Sequence, residues 1–111
     1  MSMRVSSTFT TALSGVKAAA DVLAVSSHNT ANLVTEGFVP QRAVALEQAS
    51  GGVRVRVSST SPEQPAGTDL VTETVTQLGA AAAYRANLAT LETAAELEGV
   101  LVRLAGNRND G

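Results

Sequence analysis

The last third of the chain carries an apolar helical pattern much longer than that of an ordinary globular helix. Apolar and small residues recur at three- and four-residue spacing from about Asp69 to Leu104. Asp69 and Glu73 place negative charge at the positive end of this predicted helix, and Gly106 with Asn107 is expected to end it. With a rise of 1.5 Å per residue, the helix would be roughly 50 Å long. Its apolar positions are Leu70, Val71, Val75, Leu78, Ala82, Tyr84, Leu88, Leu91, Ala95, Leu97, Leu101 and Leu104. This surface is wider than one seam, so we expect more than one neighbour to cover it.

A second helical pattern occupies the N-terminal part, from about Thr8 to Leu33. Its small and apolar residues alternate steps of four and three, which is typical of a heptad seam. The seam consists of Phe9, Leu13, Val16, Ala20, Leu23, Ser27 and Thr30. Gly37 stops the pattern, and Pro40 prevents its continuation. We therefore predict a mainly all-α fold, in which two long terminal helices pack as a coiled coil.

The segment between the two helices has a different character. Val53, Val55 and Val57 alternate with polar residues after Gly51-Gly52, which predicts a half-exposed strand. The stretch 58–68 contains two prolines and reads as a loop or linker. Residues 39–67 are too few for a second domain, so we expect a short β-hairpin or an extended arm. The chain thus divides into an N-terminal helix and turn (1–38), a middle segment (39–67) and a C-terminal helix (68–111).

Composition limits both the core and the partners. Of the 111 residues, 44% are hydrophobic but only 3% are aromatic, so the core must be built from Ala, Val and Leu. A core of such small side chains contributes little to the stability of the fold unless another surface covers it. The net charge of −2 has no basic stripe, which argues against nucleic acid as a partner. There is no cysteine, no apolar run long enough to span a bilayer and no stretch that resembles a cleavable signal peptide.

The residues that most often carry chemistry do not form a convincing site. His28 is the only histidine and has no cysteine or tight carboxylate cluster to complete a metal site. Glu92, Glu96 and Glu98 are more simply a solvated helix face than general acids, because acid–base catalysis needs an enclosed site. We expect no enzyme activity, no cofactor, no metal and no small-molecule substrate. The alanine run 80–83 is compatible with helix propensity alone or with close approach of another helix.

Both ends of the chain carry a recognisable series of short motifs. The N-terminal series is Ala12-Leu13-Ser14-Gly15, then Asn29, Ala31 and Asn32, then Thr35, Gly37 and Phe38. The C-terminal series is Asp69, Leu70, Val71 and Glu73, then Tyr84, Ala86 and Asn87, then Thr93-Ala94. With these motifs, the segment from Phe9 to Phe38 resembles the N-terminal segment of the bacterial flagellar rod and hook axial proteins, and the C-terminal helix is similar to the terminal helix of that family. The stretch Gly52 to Val55 resembles the short proximal-rod members. The sequence departs from the family pattern at His28, Val34 and Thr74.

The resemblance implies a structural role in the basal-body rod. Subunits of this family pair their terminal helices and pack side by side into a helical tube, which transmits torque and encloses the export channel. The expected partners are copies of the chain, other rod proteins and the flagellar type III export apparatus, with export to the periplasmic rod without signal cleavage. The expected turn motif is Asn29, Ala31, Asn32, Thr35, Gly37 and Phe38. The expected helix-packing residues are Leu13, Val16, Leu23, Val75, Leu78, Tyr84, Asn87, Leu88 and Leu91.

An alternative remains at this point. The chain would then be a soluble helical-hairpin adaptor, a divergent paralogue of the axial proteins that pairs with itself or with one partner. The wide apolar face of the second helix distinguishes the two hypotheses, because a tube covers that face on several sides, whereas a free hairpin exposes it or pairs it with itself.

Overall fold

The computed structural model describes residues 2–59 and 69–109 of the chain, and the side chains of residues 7–59 and 69–107. Four elements follow one another in the order helix, strand, strand, helix. They are α1 (Ser2–Ala31), β1 (Gln41–Glu47), β2 (Val53–Ser59) and α2 (Leu70–Asn109). The predicted fold class is confirmed, since two long helices flank a short antiparallel hairpin.

Both helices differ from their predicted bounds. α1 begins at Ser2 instead of about Thr8 and ends at Ala31. α2 passes through Gly106 and continues to Asn109, so the prediction that Gly106 and Asn107 would end it was wrong. A glycine ends a helix when it adopts a left-handed conformation. Among the described residues, the glycines with positive φ lie in the turn after α1 and in the hairpin turn, and Gly106 is not one of them.

The two helices run antiparallel, with Ser26 beside Glu73 and Gly15 beside Asn87. The side chains that they bury are small: Ala12, Ala18, Ala19, Ser26 and Asn29 on α1, and Ala80 and Ala94 on α2. A methyl group on Gly15 would lie 2.6 Å from the amide carbon of Asn87, so the backbones approach closely there. The helical pair is therefore held by a narrow small-residue seam.

The predicted seam of α1 is displaced by one residue from the observed one. Ala12, Ala19 and Ser26 are buried. Large residues of the predicted seam, such as Leu13 at 37% and Phe9 at 42%, are exposed. The prediction followed the largest apolar side chains. The helices approach instead along their smallest residues, because small side chains permit a shorter distance between helix axes.

The hairpin lies against α1. β1 and β2 pair in the register Gln41↔Ser59 to Glu47↔Val53. Gly51 and Gly52 have φ of 97° and 87°, in the left-handed region that favours glycine at a turn. The strand at Val53 to Val57 is confirmed, whereas β1 was not singled out from the sequence. Most of the predicted linker 58–68 lies outside the described residues.

The molecule is elongated. Its principal extents are 71 × 25 × 15 Å, and its radius of gyration is 19.4 Å. A compact domain of this length would have a radius of gyration of about 13 Å. A large share of the side chains is consequently left at the surface.

Candidate assembly surface

A polar cluster fixes the corner where α1 meets the hairpin and the start of α2. The hydroxyl of Ser26, 2% exposed, donates to the Glu73 carboxylate and accepts from Nε2 of Gln77 at 3.3 Å. The same Gln77 amide donates to Oγ1 of Thr30 at 3.0 Å, and Thr30 donates to the carbonyl of Ser26 at 3.0 Å. Each polar group thus finds a partner, as buried polar side chains require.

Asn29 connects all three parts of the fold at this corner. Its side chain is 3% exposed and pairs with both backbone groups of Gln41, since Nδ2 donates to the carbonyl at 2.8 Å and Oδ1 accepts from the amide at 2.9 Å. Nδ2 also lies 3.3 Å from Oε1 of Glu73 on α2. The side-chain amide of Asn29 bonds the backbone of Gln41 as the peptide group of a neighbouring strand would. It therefore fixes where the hairpin begins.

The remaining residues of the predicted turn motif lie in the chain reversal after α1. Asn32 donates from Nδ2 to the carbonyl of His28 at 2.9 Å, and the hydroxyl of Thr35 donates to Oδ1 of Asn32 at 3.2 Å. Gly37 has a φ of 74°, which any residue with a Cβ adopts at a cost. Phe38 folds back onto His28, with ring centroids 5.4 Å apart in an edge-to-face arrangement. Ala31 is the exposed last residue of α1.

The far end of the hairpin is held by Ser14. Its hydroxyl donates to the carbonyl of Thr11 at 2.7 Å and accepts from the backbone amide of Val53 at 3.0 Å. A Cβ on Gly52 would lie 2.7 Å from that hydroxyl oxygen, so the turn approaches α1 closely. Asn29 and Ser14 therefore attach the two ends of the hairpin to one helix.

The predicted helix-packing residues separate into two groups. Half-buried along the helical pair are Val16, Leu23, Asn87 and Leu91. Exposed in the chain on its own are Leu13, Val75, Leu78, Tyr84 and Leu88.

Besides Leu70 and Leu88, the exposed aliphatic residues of α2 fall into two groups, one towards each end of the helix. Val71, Val75 and Leu78 recur at four- and three-residue spacing and are 70%, 63% and 66% exposed; we call them the leading stripe. Towards the other end, four more large aliphatic residues are exposed, and we call them the trailing patch: Leu97, Val100, Val102 and Leu104. Both surfaces are candidates for contacts with other molecules.

Groups that would carry chemistry are sparse in the described residues. The three glutamates Glu92, Glu96 and Glu98 are exposed on α2. In the ranges 2–59 and 69–109, three or more His, Cys, Asp or Glu side chains do not come together as a metal site would require. Neither described helix contains a stretch with the length and apolarity needed to cross a bilayer.

Comparison of the sequence with protein-family models found no match, and comparison with curated protein sequences found none either.

Sequence reasoning missed the partners that complete the corner. Glu73 was interpreted as a charge at a helix end and as a match to the family pattern, Ser14 as a match alone, and Ser26 and Gln77 received no role. A signal was present, because Glu73 and Gln77 are four residues apart on a largely apolar helix. Such a polar pair requires polar partners across the helix interface, and α1 becomes polar near its end.

Proposed function

We propose that the chain is a structural subunit of the bacterial flagellar basal-body rod, assembling through its terminal helices into a helical tube. One observation carries the proposal. Among the described residues, every buried hydrophobic side chain is an alanine, while the large aliphatic side chains of α2 lie at the surface. The resemblance of both terminal segments to axial proteins supports the same conclusion.

The leading stripe illustrates the energetic argument. Covering a Val or Leu side chain contributes about 1.5–3 kcal/mol. Val71, Val75 and Leu78 are 70%, 63% and 66% exposed, so together they would contribute about 3–6 kcal/mol once covered by neighbouring subunits. That range reaches the lower end of the total stability of a small domain, so covering these residues would matter to the stability of the helices.

The corner cluster has a clear role under this proposal. A tube requires each subunit to present its surfaces at a fixed angle, since a small error at each contact accumulates along a helical array. Asn29 and Ser14 hold the hairpin to α1 at both of its ends. The hydrogen bonds therefore fix the orientation of the middle segment relative to the helical pair.

The proposal is tested by removing the protein from a bacterium that makes it and imaging the isolated basal bodies. We expect the rod to be lost beyond the inner-membrane ring, and expression of the wild-type chain from a plasmid to restore it. Intact rods without the chain would contradict the proposal and favour an adaptor role.

A measurement on the purified chain separates the same alternatives. A rod subunit with an alanine seam should show weak hydrogen-exchange protection in the terminal helices at low protein concentration. Strong protection throughout both helices in the dilute monomer would favour a self-contained hairpin protein.

A further inference from the structure

The hairpin carries a basic outer face. Side chains of a strand alternate between its two faces, and the register places Arg42, Arg54 and Arg56 on one of them. All three arginines are exposed. The opposite face holds Ala43 and Val55, which are half-buried because the hairpin packs on α1. We call the three arginines and the residues between them the arginine face.

Two aliphatic residues lie between these arginines. Val44 is opposite Arg56 and 48% exposed, and half-buried Leu46 is opposite Arg54. Arginine mixed with exposed aliphatic side chains is typical of protein–protein interfaces, where arginine is enriched. Among the described residues, the guanidinium groups of Arg42, Arg54 and Arg56 take part in no side-chain hydrogen bond or ion pair. Within that part of the chain their charges are therefore available to a partner.

A complementary surface exists on α2. Glu92 and Glu96 are four residues apart, so they share one face of the helix, and both are exposed. Val100 continues the same face after another four residues and is 41% exposed, with Leu97 beside it. We call this surface the glutamate face. It combines two carboxylates with aliphatic residues, as the arginine face combines guanidinium groups with aliphatic residues.

The two faces of one molecule do not meet. The hairpin packs on α1, and in the described residues it makes no comparable packing contact with α2. Its turn lies at Ser14, and Gly15 is beside Asn87. With a rise of 1.5 Å per residue, Glu92 is about 7 Å beyond Asn87 and Glu96 about 13 Å beyond it. The glutamate face therefore lies beyond the end of the hairpin and on the other helix.

We propose that the arginine face of one molecule docks on the glutamate face of a second copy. This contact rests on the proposed function only because it requires the chain to associate with itself. It identifies one contact between neighbouring subunits of the proposed tube. The two surfaces are different, so the contact is heterologous, and a bound pair leaves one free arginine face and one free glutamate face. Such contacts generate open arrays when the rotation between neighbouring molecules does not close a ring.

Charge exchange on the full-length chain tests this contact. The first variant is Arg54→Glu with Arg56→Glu, the second is Glu92→Arg with Glu96→Arg, and the third combines all four changes. Self-association is measured by sedimentation velocity over a range of protein concentrations at low salt. Circular dichroism checks that each variant keeps the helix content of the wild type.

We expect each double variant to weaken self-association by at least tenfold, because attraction is replaced by repulsion at two positions. The quadruple variant should return to within about threefold of the wild type, since the two charges are exchanged together. Glu98→Arg is the matched control for the glutamate face. It changes the same charge two residues further along, on another side of the helix, and should leave self-association unchanged. Lys17→Glu is the control for the arginine face. It reverses one exposed positive charge on α1, outside the hairpin, and should leave self-association unchanged.

Each other outcome contradicts the contact. Double variants that associate like the wild type would show that the two faces do not meet. Weak association of the arginine variant without recovery in the quadruple variant would indicate another acidic partner for the hairpin. A wild-type chain that stays monomeric would overturn the contact together with the proposed function. Equal self-association of the wild type and all charge variants would contradict this contact and leave the proposed function standing.

Discussion

Replacing Asn29 by alanine removes the one side chain that joins α1, β1 and α2. Three hydrogen bonds are lost: two to the backbone of half-buried Gln41, at 2.8 and 2.9 Å, and one to Glu73 at 3.3 Å. A hydrogen bond of this kind contributes about 1 kcal/mol net. The Gln41 amide and carbonyl also lose their partners in a partly enclosed place, so we expect Asn29→Ala to lower the free energy of unfolding by about 3 kcal/mol.

Urea unfolding followed by far-UV circular dichroism measures this loss, and hydrogen exchange at the amides of Gln41–Glu47 locates it. β1 should exchange faster than in the wild type, because its first residue is no longer held to α1. Asn32→Ala is a matched control. Asn32 is the same residue type three positions later, and its two side-chain hydrogen bonds, to the His28 carbonyl and from the Thr35 hydroxyl, are exposed and local. We expect that control to cost less than about 1 kcal/mol. Equal losses of stability in the two variants would show that the pairing of Asn29 with Gln41 does not hold β1 to α1.

Further predictions concern the helical seam, the hairpin turn and the outer face of α2. Gly15→Ala should destabilise the chain by about 1 kcal/mol despite better helix propensity, because the new methyl group displaces the Asn87 side chain; adding Asn87→Ala should reverse the loss in urea unfolding. Ser14→Ala should cost about 1 kcal/mol and speed exchange at the Val53 amide, which loses its acceptor; unchanged exchange there would contradict the role of Ser14. Under the proposed function, Leu88→Asp should abolish assembly and leave export largely intact, because neighbouring subunits would cover this surface and a covered carboxylate is unfavourable. Immunoblots of exported and rod-bound protein measure both quantities, and normal assembly would show that this surface is not covered.

The architecture could be predicted because its signals are local. Helical spacing identified both helices, and the alternation of valine with polar residues identified β2. Gly37 at the corner and Gly51-Gly52 at the hairpin turn have the positive φ for which glycine is the usual residue. These features depend on neighbours a few positions apart in the chain, and such neighbours are visible in the sequence.

The contacts between elements could not be predicted to the same depth. Amphipathic patterns indicate which residues avoid water, but they do not say which neighbour covers them. Following the large residues placed the α1 seam at Leu13 and Val16, whereas the helices meet at Ala12 and Gly15. The corner depends on the pairing of Asn29 with the backbone of Gln41, which lies outside any helical or strand period. Only the three-dimensional arrangement brings those groups together.

The distribution of small and large side chains links folding to assembly under the proposed function. A buried alanine contributes roughly one methyl group, or about 0.8 kcal/mol, which does not exceed the cost of about 1–2 kcal/mol for ordering its backbone. The five alanines buried in the described residues therefore hold the helical pair together weakly. A covered leucine contributes several times more. If neighbouring molecules cover residues such as Val75 and Leu78, the helices gain more stability from the assembly than from their own seam. Order in the terminal helices should then rise with protein concentration, and hydrogen-exchange protection that is independent of concentration would contradict this coupling.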